Sequence, residues 1–256
     1  MAMDHRIDAP DLDGRPFFFC GIGGSGMLPL AQIVHGAGHE VAGSDRSRDQ
    51  GRTRDKFAWL EQAGFALHPQ DGSGIHSPEQ ILLASAAVED TVPEVARAAE
   101  LGCERMSRAE RLSTLFNKAG FSVAVAGTSG KSTVTGMIAW ILTHAGHDPT
   151  AMNGAVMKNF VSADNPFASA RVGRPDLFVS EVDESDGSIA LYRPTVGVLL
   201  NVSLDHKSLD ELRALFGDYV QKAGCAVINL DNAEAGFLAS KAGQLVTFGV
   251  QSPQAD

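Results

Sequence analysis

Short apolar runs along the chain alternate with stretches whose apolar residues recur at helical spacing. That alternation predicts βαβ units and a parallel sheet. Residues 17–20 (FFFC) predict a buried strand, 21–26 a glycine loop, and the segment to Val34 a helix. A second strand is expected at 39–44 and a helix at 52–63, where Phe57, Leu60 and Ala63 share a face. A strand at 81–85 and a helix from Pro93 to about Leu101 follow, proline suiting a first helical turn. Residues 108–116 predict a connecting helix that stops in Asn117-Lys118-Ala119-Gly120.

There the pattern restarts. Residues 121–126 (FSVAVA) predict a strand, followed by a second glycine loop and a helix to His144. Further strands are expected at 177–182, 196–202, 226–230 and 244–248. Leu209, Leu212, Leu215, Phe216, Tyr219 and Val220 line one helical face. The polar, Gly/Pro-containing stretch 158–175 reads as a long loop facing substrate. The expected fold class is α/β: an N-terminal Rossmann-like domain over 1–117, then a P-loop-type central α/β domain over 118–256, with mostly parallel sheets.

Composition narrows the classes. The 256 residues are 44% hydrophobic, enough for real cores. Lys plus Arg number 21 against 31 Asp plus Glu, a net charge of −10, which argues against a nucleic-acid or anionic-membrane binder. Cys20, Cys103 and Cys225 are odd in number and scattered, so no disulfide framework or thiolate zinc site is indicated. The polar N-terminus is unlike a secretory signal, and the uncharged stretch 16–39 is broken by six glycines and two prolines. A cytoplasmic protein is expected.

Four segments carry chemistry. Gly21, Gly23, Gly24 and Gly26, with Ser25 between, fit G-x-G-x-x-G between strand and helix, and Asp45 follows 19 residues later at the tip of the second strand. This fits either a pyrophosphate-binding turn or a plain tight turn. The second loop, Gly127-Thr128-Ser129-Gly130-Lys131-Ser132-Thr133, has the context of a P-loop. Its amides would cradle phosphates, Lys131 would reach them, and Ser132 could hold Mg²⁺. It departs from the full pattern in having Val125 five positions before Gly130. The run from Glu181 through Glu184, Ser185 and Asp186 fits a solvated acidic turn or, beside a P-loop, a seat for Mg²⁺. His206, in Asn201-Val202-Ser203-Leu204-Asp205-His206, fits a capping histidine or a metal-facing one.

In this order and spacing, CGIGGSGM at 20–27, GSD at 43–45, AGTSGKSTVTGMIA at 126–139, EVDESDGS at 181–188 and NVSLDH at 201–206 resemble the Mur ligases. These are ATP-dependent amide-forming enzymes of peptidoglycan synthesis. The likeness is greatest to those joining L-alanine to UDP-N-acetylmuramate. It implies that Gly21, Gly23, Gly24, Ser25, Gly26 and Asp45 face the UDP-sugar, with Glu184, Ser185 and Asp186 on the muramoyl side. It further implies that residues 127–133 bind ATP, that Ser132, Glu181 and His206 hold Mg²⁺, and that Lys131, Glu181 and His206 serve catalysis. The implied reaction runs through an acyl phosphate.

The sequence departs from that family at Ser129, where histidine is frequent, and at Ser132, where threonine is. Asn153-Gly154 stands where two glycines are often found, and Lys207 follows the Asp-His pair. GMIAWIL resembles the related ligase that recycles murein peptides. The family's C-terminal domain, with its H-N-x-x-N motif, is not expected within these residues, and the two-domain chain is expected to lack turnover alone. A non-catalytic nucleotide-binding module is the alternative from another class. A nicotinamide enzyme leaves the second loop unexplained.

Overall fold

A computed structural model describes residues 14–85, 87–204 and 207–256. The chain forms two compact units, one reaching Thr114 and one running from Leu115 to Asp256.

In the first unit β1 (Phe17–Cys20) leads to α1 (Met27–Gly36), then β2 (Val41–Ser44), a short α2 (Arg46–Asp49), α3 (Arg54–Gln62), β3 (Ala66–His68), β4 (Ile81–Ala84), α4 (Pro93–Leu101) and β5 (Glu104–Ser107). The five strands lie in the order β3-β2-β1-β4-β5, all parallel. The connection reverses direction on either side of β1, so the glycine loop after β1 opens at the switch point of the sheet, where such sheets receive ligands. β1 has all four residues buried, as a strand covered on both faces must. Helix α5 (Arg108–Lys118) follows. Its Arg111 guanidinium stacks over the Phe17 ring at 4.6 Å, and its Phe116 packs edge-on to Phe178 and Tyr192.

The second unit continues with β6 (Phe121–Ala126), α6 (Lys131–His144), β7 (Pro149–Met152), β8 (Ala170–Arg171), β9 (Arg174–Glu181), β10 (Val196–Leu199), α7 (Leu209–Lys222), β11 (Cys225–Asn229), α8 (Ala233–Leu238) and β12 (Leu245–Phe248). The sheet order is β12-β11-β10-β6-β9-β7-β8, parallel except for β8. β6 sits between β9 and β10, so its loop and the ends of both neighbours share one edge. Val123, Val125, Val179 and Val198 form the sheet side of the core, with Ala139 and Met157 packed over them. Ser208 and Glu211 close a capping box that starts α7.

Several elements differ from the sequence expectation. β3 and β5 are short edge strands without an apolar run. β5 reads Glu104-Arg105-Met106-Ser107, with only Met106 buried. β7 begins at a proline, and the stretch expected to be one long loop holds a 3-10 turn (Lys158–Phe160), β8 and the start of β9. The strand expected to run to Val202 ends at Leu199. Among the described residues, no helix is long and apolar enough to cross a membrane.

Candidate functional site

In the first unit, Asp45 follows β2 directly and caps α2, its Oδ1 accepting from Ser47 N–H at 2.7 Å. Its Oδ2 accepts from Gly23 N–H at 2.9 Å, tying the glycine loop to the second strand tip. Gly23 is demanded by space: a Cβ there would sit 2.9 Å from the Phe57 ring and 3.0 Å from Asp45 Oδ2. The Lys56 ammonium donates to Gly23 O at 2.9 Å. Beneath the loop, fully buried Glu94 accepts from Ser44 Oγ at 2.5 Å. Burial and the charge of Glu94 push the Cys20 thiol up to about 11. Ser25 lies exposed at the loop's tip.

In the second unit the loop leaves β6 and enters α6 through Gly130, whose φ of +85° suits glycine. Asn201, just beyond β10, stitches the loop down. Its Oδ1 accepts from Ser129 N–H at 2.9 Å, and its Nδ2 donates to Ser129 O at 3.0 Å. Its carbonyl accepts from Thr128 N–H at 3.1 Å, while Ser203 N–H donates to Thr128 Oγ1 at 2.9 Å.

The Lys131 ammonium donates to Gly127 O at 2.8 Å and to Glu184 Oε2 at 3.1 Å, and the Lys131 and Glu184 side chains are 17% and 7% exposed. Ser132 Oγ donates to Glu181 Oε2 at 2.6 Å. An uncompensated buried lysine or glutamate would be costly, and the Lys131–Glu184 pair compensates both. A hydroxyl and a carboxylate are hard oxygen donors, the set Mg²⁺ takes when phosphates and waters complete its shell.

The structure thus joins Lys131, Ser132, Glu181 and Glu184 at one sheet edge. Glu184, expected on the muramoyl side, lies on the P-loop lysine. Ser185 and Asp186 lie exposed on the following turn. His206 and its neighbour Asp205 lie outside the described residues. Thr133 faces solvent and lines, with Ser132, Asn153, Trp140 and Phe160, a cavity of about 290 Å³. A larger cavity in the first unit, about 660 Å³, lies at the other end of its strands and takes in His35, His39, His68 and His76. Among the described residues no three His, Cys, Asp or Glu side chains are placed to hold a metal.

Two residues given no role by the sequence bond to the second loop or to the helix it enters. Asn201 sat inside a noted motif, but only its bonds to the loop reveal the task. Asn153 follows β7 directly and donates to Ser132 O at 2.9 Å. Its signal was an Asn-Gly pair at a strand end.

Comparison with known proteins adds the family. Residues 16–119 match the profile described as "Mur ligase family, catalytic domain", and residues 125–256 that of the "Mur ligase middle domain". UDP-N-acetylmuramate–L-alanine ligase of Aquifex aeolicus is 34% identical over 93% of this chain and 52% of its own. The enzyme of that name from Clavibacter michiganensis is 36% identical over 100% of this chain and 52% of its own. The chain spans about half the length of the curated relatives it matches. Among solved structures, UDP-N-acetylmuramate-alanine ligase of Thermotoga maritima matches with a TM-score of 0.77 at 26% identity, over 93% of this chain and 53% of that one. UDP-N-acetylmuramate:L-alanyl-gamma-D-glutamyl-meso-diaminopimelate ligase of Neisseria meningitides gives 0.76 at 26% identity, over 92% and 78%.

Proposed function

The chain belongs to the Mur ligase family, and from that premise we propose that it holds the UDP-sugar and the ATP phosphates of an ATP-dependent ligase joining L-alanine to UDP-N-acetylmuramate. The observation that carries this reading is the pairing of Ser132 with Glu181 beside the Lys131–Glu184 pair, all at the edge where β6, β9 and β10 end. Two carboxylates there, one on a hydroxyl and one on a lysine, exceed what binding a nucleotide alone requires.

On this reading the lactyl carboxylate takes the terminal phosphoryl group of ATP, and ADP leaves. The amino-acid nitrogen then attacks the acyl carbon, phosphate departs, and an amide remains. Lys131 leaves Glu184 to contact phosphate oxygens, so the charge Glu184 now compensates is transferred to the nucleotide. The amides of residues 127–133, braced by Asn201, cradle the phosphates and keep the reacting oxygen and phosphorus in line. Ser132 and Glu181, with His206 as third ligand, would hold Mg²⁺, which when bound neutralises phosphoryl charge.

In the first unit Gly21, Gly23, Gly24, Ser25 and Gly26 approach the pyrophosphate, with Asp45 fixing the loop. We assign exposed Ser185 and Asp186 to the muramoyl side. The domain division is placed at 117/118, and the site of action is the cytoplasm, where ATP is made available.

The choice of L-alanine rests on the curated relatives, because the two solved structures score almost alike (0.77 and 0.76) although one ligase adds an amino acid and the other a peptide. Calorimetric titration tests the reading, with UDP-N-acetylmuramate as ligand and UDP-N-acetylglucosamine and NAD⁺ as controls. Selective binding of the muramate is expected. Binding of NAD⁺ alone would overturn it.

A further inference from the structure

The Ser132–Glu181 pair is not held by its own hydrogen bond alone. β7 runs parallel to β9 with Met152 opposite Ser180, so the residues leaving β7 pass beside Glu181. The first, Asn153, is 2% exposed. Its N–H donates to Ser169 O at 2.9 Å, anchoring it to the segment before β8. Its Nδ2 donates to Ser132 O at 2.9 Å, in the first turn of α6. An aspartate could not make that bond, since an oxygen would then face the carbonyl.

The second residue, Gly154, lies against the Glu181 carboxylate. A Cβ built there would fall within the carboxylate, overlapping Oε1 and lying 3.1 Å from Cδ. The backbone is not left-handed at Gly154, so conformation does not require glycine there; what a side chain would meet is the terminal carboxylate of Glu181. Any side chain would push Glu181 off the oxygen position from which Oε2 accepts the Ser132 hydroxyl.

We infer that Asn153 and Gly154 are the positioning element of the cation seat. Asn153 fixes the helix turn that carries Ser132, and Gly154 leaves the room in which Glu181 faces that hydroxyl. This rests on the proposed reading that Ser132 and Glu181 hold Mg²⁺. Neighbours that orient metal ligands typically govern about 10- to 100-fold in metal affinity, which sets the expected effect.

The test is ATP binding to the 256-residue chain, measured by calorimetry with Mg²⁺ and again in EDTA; the ratio of affinities reports the cation seat separately from the phosphate loop. Gly154→Ala is expected to lower that ratio about tenfold or more, with the affinity in EDTA and the melting temperature unchanged. Shortening the acid relieves the overlap, so Gly154→Ala combined with Glu181→Asp is expected to recover part of the ratio. Asn153→Asp should lower it as well.

Glu181→Ala separates the two levels. If it leaves the ratio intact, the Mg²⁺ reading falls and this inference with it. If Glu181→Ala abolishes the ratio while Gly154→Ala behaves as wild type, the positioning role alone is overturned. A double variant no better than Gly154→Ala, or a Gly154→Ala loss matched in EDTA, overturns it too.

Discussion

Each sheet sends a glycine loop from an interior strand into a helix, yet the two loops are held in opposite ways. The loop after β1 is tied by backbone N–H to one carboxylate, Asp45, and packed from the side by Phe57. The cation bonded to it, Lys56, is engaged with a loop carbonyl. The loop after β6 is tied by the neutral amide of Asn201, while two carboxylates deal with Lys131 and Ser132. The first spends its acid on shape. The second sets its acids on a cation and a hydroxyl, which on the proposed reading pass to phosphate and Mg²⁺. One arrangement suits docking of a ligand part that does not react, the other suits charge that moves during a reaction.

The sharpest way to break this contrast is Lys131→Ala. ATP affinity should fall about 10- to 100-fold, the worth of hydrogen bonds to a charged group, while UDP-N-acetylmuramate binding stays unchanged in a parallel titration. The substitution also strands buried Glu184, so Lys131→Ala with Glu184→Gln should regain thermal stability without regaining ATP binding. Equal loss of both ligands would mean that the loops do not divide the work. Gly23→Ala is the mirror experiment. Its Cβ meets Phe57 and Asp45 at about van der Waals overlap, an overpacking cost of about 1–3 kcal/mol. The overlap displaces the loop that faces the ligand, so UDP-sugar affinity should drop about tenfold, and ATP binding should not move.

Both loops were legible in the sequence because glycines at fixed spacing between a strand and a helix have few other uses, and β1 and β6 were read to within their own residues. What escaped was whatever depends on strand order. Asn201, Asn153 and Gly154 lie far from the loop in sequence and reach it only because β10 and β9 flank β6, with β7 next. Glu184 was grouped with its sequence neighbours Ser185 and Asp186, but a turn of the chain sends it inward to Lys131 while they face out. The short edge strands β3, β5 and β8 carry no apolar run, since an edge strand buries little, and so left no periodic trace.

Asn201→Ala probes how far the second loop depends on its brace. It removes the two solvent-exposed side-chain bonds to Ser129, at a cost of about 0.5–1.5 kcal/mol. The loop should loosen, with ATP affinity falling several-fold through a faster off-rate seen by stopped flow. A variant as tight as wild type would show that the loop is rigid without its neighbour strand.

The smallest effect is expected from Asp45→Asn, and it bears most directly on the claim that this acid is spent on shape. Its two oxygens each accept one backbone N–H, from Gly23 and from Ser47. An asparagine of the same size keeps one acceptor and turns an NH₂ toward the other donor, so either the glycine loop or the α2 cap is released. The loss of one such bond is worth about 1 kcal/mol, which lowers the melting temperature of the first unit by a few degrees and weakens UDP-N-acetylmuramate several-fold. If Asp45 instead accepted a hydrogen bond from the ligand itself, the weakening would be far larger than the stability loss, because the ligand would lose a charge-assisted bond that the free protein does not have. Measuring both losses in the same variant therefore separates an acid that shapes the loop from an acid that touches what the loop holds.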